Sequence, residues 1–332
     1  MEDLIIGKQF KYAPLVVQKL HHLAYEQKQP NYQYKMVAPS ALIGIEVEVE
    51  NVPNYISLDY YWKSKHDGSL RNNGCEFTSI PLRAYQVPYA LDYLWKQMCQ
   101  ENDPDFSPRT SIHIHLNVRD MTVDQIKVLT LLYSIFERHF FHIAGTKREE
   151  SIFCVPLYLS KQVQVIKDIP YSLQNWHKYN AVNLGTITGT ADVPRFGTIE
   201  FRHLYGTMDN DIIINWINNI LYLRQASLSY TFDELSDKVK DMNSTSEYIA
   251  LYSTVFGEYA NLPKMIKFDF EYCITQTKLA LWGSLGSQKF PFSQESKYYT
   301  QATTKKDKGI KQPTPFTGFD ELVAKPVFAE GT

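Results

Sequence analysis

The chain has 332 residues, of which 44% are apolar and 21% charged, as in an ordinary globular protein with a substantial core. Its formal net charge of −2 argues against a protein built mainly to coat nucleic acid, because that function needs a basic excess. Without a signal peptide pattern, paired cysteine spacing or a run of about 18 apolar residues, we expect a cytoplasmic protein with reduced, buried thiols and no membrane partner.

The first acidic motif lies in a strand predicted over residues 41–51, after a helix predicted over 14–25. Aliphatic residues alternate with glutamates from residue 45 to residue 50. Because successive side chains of a strand point to opposite faces, Glu46 and Glu48 are expected to share one face.

A turn and a second short strand follow this motif. Asp67 and Gly68 favour the backbone angles of a turn, and residues 74–79 predict a strand that carries Glu76. Apolar residues at helical spacing then predict a helix over 83–100.

The third predicted strand covers residues 110–118. One of its faces carries three polar side chains: His113, His115 and Asn117. The helix after it has the clearest boundaries, because Thr122 and Gln125 form a capping box and Gly145 follows its apolar stripe.

The region around residue 180 adds a basic and an amide candidate. Lys178 precedes a strand predicted over 181–184, and Asn183 lies within that strand. A Gly/Thr-rich, hairpin-like connection is predicted over 185–191.

The last predicted strand, 197–204, places Glu200 and Arg202 on one face. Asp209 is then expected to cap a helix that ends near residue 225. Further helices, one of them capped by Ser244, are expected to support the sheet.

These elements divide the chain into four predicted parts. They are a helical segment (1–40), a catalytic domain (41–230), supporting helices (231–295) and a polar, lysine-rich flexible tail (296–332).

The alternation of polar-faced strands with helices predicts an α+β fold. We expect an antiparallel sheet with helices packed on one face and a cleft on the other. Ionised groups crowded on one face are costly to bury unless they are paired or bind metal. Glutamate oxygens with a histidine nitrogen suit Mg²⁺ or Mn²⁺.

Each motif alone has a simpler interpretation. Alternating glutamates are typical of a solvated edge strand, and a Glu-x-Arg pair is usually an exposed cross-strand ion pair. Their joint occurrence in one order is hard to explain as unrelated solvated surfaces.

In that order the motifs resemble the amidoligase branch of the glutamine synthetase and γ-glutamylcysteine ligase superfamily. The resemblance rests on short sequences between about residues 43 and 207. They are Gly44-Ile-Glu-Val-Glu48, Asp67-Gly-Ser69, Gly74-Cys-Glu76, the two-histidine strand and Glu200-Phe-Arg202. It implies a glutamine-synthetase-like sheet that binds ATP and Mg²⁺.

The resemblance also implies two groups of metal ligands. An ion bridging the ATP phosphates would be held by Glu46, His113 and Glu200. An ion nearer the substrate carboxylate would be held by Glu48 and Glu76. Asp67 would join that second site or bind the attacking amine. His115 shares the inward side, so which histidine is the ligand stays open.

Three further roles follow from the resemblance. Arg202 would neutralise the transferring phosphoryl group or the substrate carboxylate. Lys178 and Asn183 resemble basic and amide residues near phosphates, and His115 and Asn117 are candidate nucleotide contacts.

The function expected is an ATP- and Mg²⁺-dependent carboxylate–amine ligase that forms an amide through an acyl phosphate, acting on small-molecule or peptide substrates. A metal-dependent hydrolase or cupin-like enzyme using both histidines is an alternative. A non-catalytic structural protein that keeps the fold is another, and the substrates and oligomeric state are left open.

Overall fold

The computed structural model describes residues 34–53, 56, 58, 61–160, 173, 176–189, 196–257 and 266–282. Within these residues the protein is of mixed α/β architecture. The strands are β1 (Leu42–Val49), β2 (Trp62–His66), β3 (Cys75–Ser79), β4 (Leu82–Arg83), β5 (Ser111–Asn117), β6 (Val182–Asn183) and β7 (Thr198–Tyr205). The α-helices are α1 (Val87–Glu101), α2 (Val123–Ala144), α3 (Gly185–Thr188), α4 (Asn210–Ser227), α5 (Phe232–Asp241), α6 (Thr245–Phe256) and α7 (Ile266–Trp282). None of these helices is long and apolar enough to cross a membrane.

The strands form one open antiparallel sheet, as predicted. Its order is β2-β3-β1-β5-β7-β6, and β4 pairs with the first residues of β1. The pairing of β5 with β7 contains a bulge, in which Arg202 and His203 together lie opposite His113. Arg202 points to one face of the sheet, and His203 points to the other face, where it is buried against α2 and α4.

One face of the sheet packs on the helices, since its strands place an apolar residue at every second position. Ile45, Ile114 and Phe201 are fully buried. The ring of Phe201 lies 6.2 Å from that of Tyr133 and 6.1 Å from that of Phe140, both in α2. Burying such side chains contributes about 1.5–3 kcal/mol each, so this face holds the sheet on the helices.

Capping side chains begin the helices where the sequence predicts them. The Thr122 hydroxyl accepts a hydrogen bond from the N–H of Gln125 and starts α2. Asp209 and Ser244 cap α4 and α6 in the same way. Gly145, with φ of 98°, ends α2. These predictions are confirmed.

Several predictions of local structure are wrong. β2, β4 and α5 are missing from the sequence analysis, and the hairpin-like connection begins instead with the short helix α3. All four cysteines are free, but Cys99 is exposed and Cys75 is only partly buried. The helix predicted over 14–25 and the tail over 296–332 lie outside the described residues.

Candidate functional site

The face of the sheet opposite the helices carries polar side chains in three rows across the strands. We call this surface the polar face. The first row contains Lys65, Glu76, Glu48 and Ser111. The second row contains Lys63, Thr78, Glu46 and His113. The third row contains Gly44, His115, Glu200 and Asn183. Antiparallel register thus aligns motifs that are up to about 150 residues apart in the sequence.

Glu46, His115 and Glu200 form the first of two clusters of metal-ligating atoms, and we call it the first group. One ligand atom from each residue lies within 4.8 Å of the other two. Donors bound to one Mg²⁺ lie at most about 4.2 Å apart, so small side-chain rotations bring all three to a common ion.

The orientation of His115 fits a metal ligand. Its Nδ1 lies 3.0 Å from the Thr198 hydroxyl, which fixes the ring by a hydrogen bond. Its Nε2 is buried without a hydrogen-bond partner and lies 3.2 Å from Glu46 Oε1, in a geometry that makes no hydrogen bond. A ring nitrogen oriented by its second nitrogen and facing carboxylates is the usual arrangement of a metal-binding histidine.

The surroundings of both carboxylates of the first group favour their ionised form. Burial alone would raise the pKa of Glu46, but the neighbouring His115 and His113 hold it well below its usual value. Burial acts the same way on Glu200, and Arg202 and the histidines lower its pKa overall. Arg202 Nη1 donates a hydrogen bond to Glu200 Oε1, and Asn183 Nδ2 donates one to Oε2 at 2.8 Å. The two glutamates are therefore available as anionic ligands.

His113 lies between the two clusters and has partners on both ring nitrogens. Its Nδ1 is 3.1 Å from Glu46 Oε2 and 3.4 Å from Glu200 Oε1. Its Nε2 is 2.8 Å from the Ser111 hydroxyl, which donates a hydrogen bond to Glu48 at 2.5 Å. His113 thus lies beside the same two glutamates, but its ring nitrogens also face Ser111 and Glu48, whereas His115 is the histidine of the set whose ligand atoms lie within 4.8 Å of one another.

The second group consists of Glu48, Asp67 and Glu76, whose ligand atoms also lie within 4.8 Å of one another. Asp67 is held by the N–H of Ser69, which donates to Asp67 Oδ1 at 2.8 Å. Burial and the charge of Glu46 raise the pKa of Glu76, although Lys65 opposes this shift. The Lys65 ammonium lies 2.8 Å from Glu76 Oε1. Asp67 therefore joins the second group from the turn after β2.

Two predicted site residues lie apart from these groups in the described structure. Asn117 ends β5, where its side chain bonds Arg119 at 2.7 Å and Asp120 at 3.2 Å. Lys178 precedes β6, with its ammonium 5.0 Å from the ring centre of Tyr179. None of the described contacts of either residue reaches the two groups, so their proposed roles stay predictions.

The structure also adds residues that the sequence analysis missed. Lys65, Ser111 and Thr198 each contact a candidate ligand. Gly44 is needed for a different reason, because a β-carbon there would lie only 3.2 Å from the β-carbon of His115. The spacing of Lys63 and Lys65 at alternate positions could have indicated the strand β2. Single hydroxyl residues such as Ser111 and Thr198 gave no such signal in the sequence.

A buried network lies beneath the bulge on the helix side of the sheet. Arg148 donates hydrogen bonds to the carbonyl oxygens of His203, at 2.7 Å, and Arg202, at 3.0 Å. The Tyr133 hydroxyl lies 2.7 Å from His203 Nε2 and donates to Glu137 at 2.7 Å. These bonds fix the backbone from which Arg202 reaches the polar face.

Comparison with protein families gives a match that covers half of the chain. A family model described as "Putative amidoligase enzyme" matches residues 56–223. The matched range contains Asp67, Glu76, both histidines of β5 and Glu200, whereas β1 lies before it. A search of curated proteins finds no match.

Proposed function

The chain belongs to this amidoligase family, whose name indicates a ligase that forms C–N bonds, and we propose that it joins a carboxylate to an amine using ATP and Mg²⁺. Amide formation from a free carboxylate needs activation, because a carboxylate is a poor electrophile. We propose an acyl phosphate as the activated form, with small-molecule or peptide substrates. Relationship to the glutamine synthetase superfamily, a cleft over the polar face and a cytoplasmic location remain part of the proposal.

The observation that carries the proposal is that the first and second groups, two clusters of candidate metal ligands, lie on one face of the sheet. Glu46, His115 and Glu200 would hold one ion, and the second group would hold another. The buried Nε2 of His115, which makes no well-aligned hydrogen bond and lies 3.2 Å from Glu46 Oε1, supports the first of these sites. Bound Mg²⁺ would neutralise phosphate oxygens and so favour phosphoryl transfer.

Arg202 is suited to act on the developing charge of the phosphoryl group. The nearby carboxylates outweigh the effect of burial and raise the pKa of its guanidinium, so the side chain stays charged. Its planar fork is held by Glu200 and by the carbonyl oxygen of Phe153 at 3.4 Å. A preorganised cation of this kind stabilises a transition state without rearranging during the reaction.

The test is phosphate release from ATP with Mg²⁺ and pools of amino acids and small peptides. Glu46→Gln and Glu200→Gln should abolish both phosphate release and metal-dependent nucleotide binding. Glu271→Gln, an exposed position on α7, is the matched control and should behave as wild type. Wild-type nucleotide binding in both site variants would contradict the proposal. Zinc or iron in the purified protein without nucleotide affinity would favour the metal-dependent hydrolase instead.

A further inference from the structure

One side-chain cation contacts the first group and another contacts the second group. The two cations differ in how firmly their side chains are held. Arg202, in contact with the first group, has a side chain only 16% exposed and bonds both Glu200 and a backbone carbonyl. Lys65, in contact with the second group, has a side chain 66% exposed. Its described ion pair is with Glu76. The guanidinium is therefore fixed in place, whereas the ammonium is free to leave.

The Lys65 ammonium binds Glu76 Oε1, an oxygen that a metal ion at the second group would need as a ligand. Glu76 Oε1 accepts from Lys65 at 2.8 Å and from the Thr78 hydroxyl at 3.2 Å. The same carboxylate belongs to the second group with Glu48 and Asp67. A divalent cation bound there repels the ammonium and competes for the same oxygen. Since lysine is a flexible, strongly hydrated point charge, the ion pair is easily broken.

A displaced Lys65 still lies beside the site, because β2 is the outermost strand of the described sheet on this side. Lys63 and Lys65 both pair across β3 on the polar face, with Thr78 and Glu76 respectively, and both are exposed. The β2 side of the polar face is thus the basic side next to the second group. An anionic substrate that approaches over β2 meets an ammonium before it meets the carboxylates.

We propose that, in the metal-free protein, the Lys65 ammonium occupies the place of a metal ion at the second group. A divalent cation that binds there releases Lys65, which then contacts the carboxylate substrate. This inference rests on the proposed function and adds the direction of substrate entry, across β2. It also implies that the metal ion binds before the carboxylate substrate, because Lys65 can contact the substrate only after a metal ion occupies the second group.

Lysine acylation followed by peptide mass spectrometry tests the release directly. Adding Mg²⁺ should raise the labelling of Lys65 severalfold and leave that of Lys63 unchanged. Glu76→Gln removes the ammonium's partner, so Lys65 should be labelled strongly with or without Mg²⁺. Labelling of Lys65 that is unchanged or reduced by Mg²⁺ would overturn the proposal.

Two simple anions then test the carboxylate contact in the Mg²⁺-loaded protein. Glutarate should protect Lys65 again, and Lys65→Met should lose affinity for glutarate whereas Lys63→Met keeps it. Protection by inorganic phosphate alone, or by neither anion, would overturn the assignment to a carboxylate.

Mn²⁺ binding, followed by electron paramagnetic resonance, separates this inference from the proposed function. If Mn²⁺ binds to wild type but Lys65 labelling does not respond to Mg²⁺, the inference about Lys65 fails alone. If no Mn²⁺ binds, the proposed function fails and the inference fails with it. The Lys65→Met variant should bind Mn²⁺ at the second group more tightly than wild type or Lys63→Met does, because the ammonium that competes for Glu76 has been removed.

Discussion

Replacing Gly44 by alanine is expected to damage metal binding more than folding. The new β-carbon would lie 3.2 Å from that of His115 on the neighbouring strand. Directly opposite side chains of antiparallel strands usually have β-carbons about 4.5–5.5 Å apart. A contact of 3.2 Å is tighter than β-carbons ordinarily make, so the imidazole or one of the strands must shift by a few tenths of an ångström, which moves His115 Nε2 relative to Glu46 and Glu200.

Two opposing effects set the change in folding free energy for Gly44→Ala. Alanine in a strand gains about 0.5–1 kcal/mol over glycine, because the unfolded chain has less backbone freedom to lose. Overpacking a well-packed position costs about 1–3 kcal/mol. The net loss is thus roughly 0–2.5 kcal/mol, too small to unfold a domain of this size. Misorienting a metal ligand, by contrast, is expected to lower Mn²⁺ affinity about 10–100-fold, as loss of a supporting residue does.

Urea denaturation measures the stability of Gly44→Ala, and Mn²⁺ titration by electron paramagnetic resonance measures its metal affinity. Gly68→Ala is the control for the first group, because a β-carbon at Gly68 meets no atom within 4 Å. Wild-type Mn²⁺ affinity in Gly44→Ala would refute the assignment of His115 as a ligand.

Three further predictions concern the residues that support the site. Thr198→Val removes the hydrogen-bond partner of His115 Nδ1 and should weaken Mn²⁺ binding about 10–100-fold, measured by calorimetry. It should lower the free energy of unfolding by only about 1 kcal/mol, measured by urea denaturation. Unchanged Mn²⁺ affinity would contradict this prediction. Arg148→Met leaves carbonyl oxygens beneath the bulge without their donor and should cost about 1–3 kcal/mol in a urea melt, whereas wild-type stability would show that Arg148 does not support the bulge. Burial lowers the pKa of His115, but Glu46 and Glu200 raise it overall above its usual 6.5. Because protonation blocks Nε2, Mn²⁺ affinity should fall as pH drops through this raised pKa, and the metal-free protein should lose the matching stability as pH rises through it. Mn²⁺ affinity that is constant between about pH 5 and 9 would disprove this linkage.

The polar face could be predicted largely from the sequence, because alternation along a strand fixes which side chains share a face. Glu46 and Glu48, like His113 and His115, follow this rule directly. Caps such as Thr122 were equally predictable, since their hydrogen bonds are local.

Alternation does not determine which strand positions lie opposite one another. His113 and His115 share a face, and only the register pairs His115 with Gly44 and Glu200. The bulge at Arg202 and His203 shifts the pairing of β7 with β5 by one residue from Leu204 onward, and it has no signature in the sequence.

The edge of the sheet was missed for a different reason. Four of the five residues of β2, from Lys63 to His66, are exposed, so the strand has no apolar alternation to detect. β4 is only two residues long, and α3 forms in a Gly/Thr-rich stretch that favours a turn by composition. Tertiary packing, and not local preference, determines these elements.

Anomalous diffraction from a crystal soaked with Mn²⁺ and a non-hydrolysable ATP analogue tests the central claim most directly. The account predicts one Mn²⁺ peak bound by Glu46, His115 and Glu200, and a second bound by Glu48, Asp67 and Glu76. Nucleotide phosphates should lie beside these peaks, within reach of Arg202. Ions bound elsewhere, or a polar face that holds neither Mn²⁺ nor nucleotide, would contradict it.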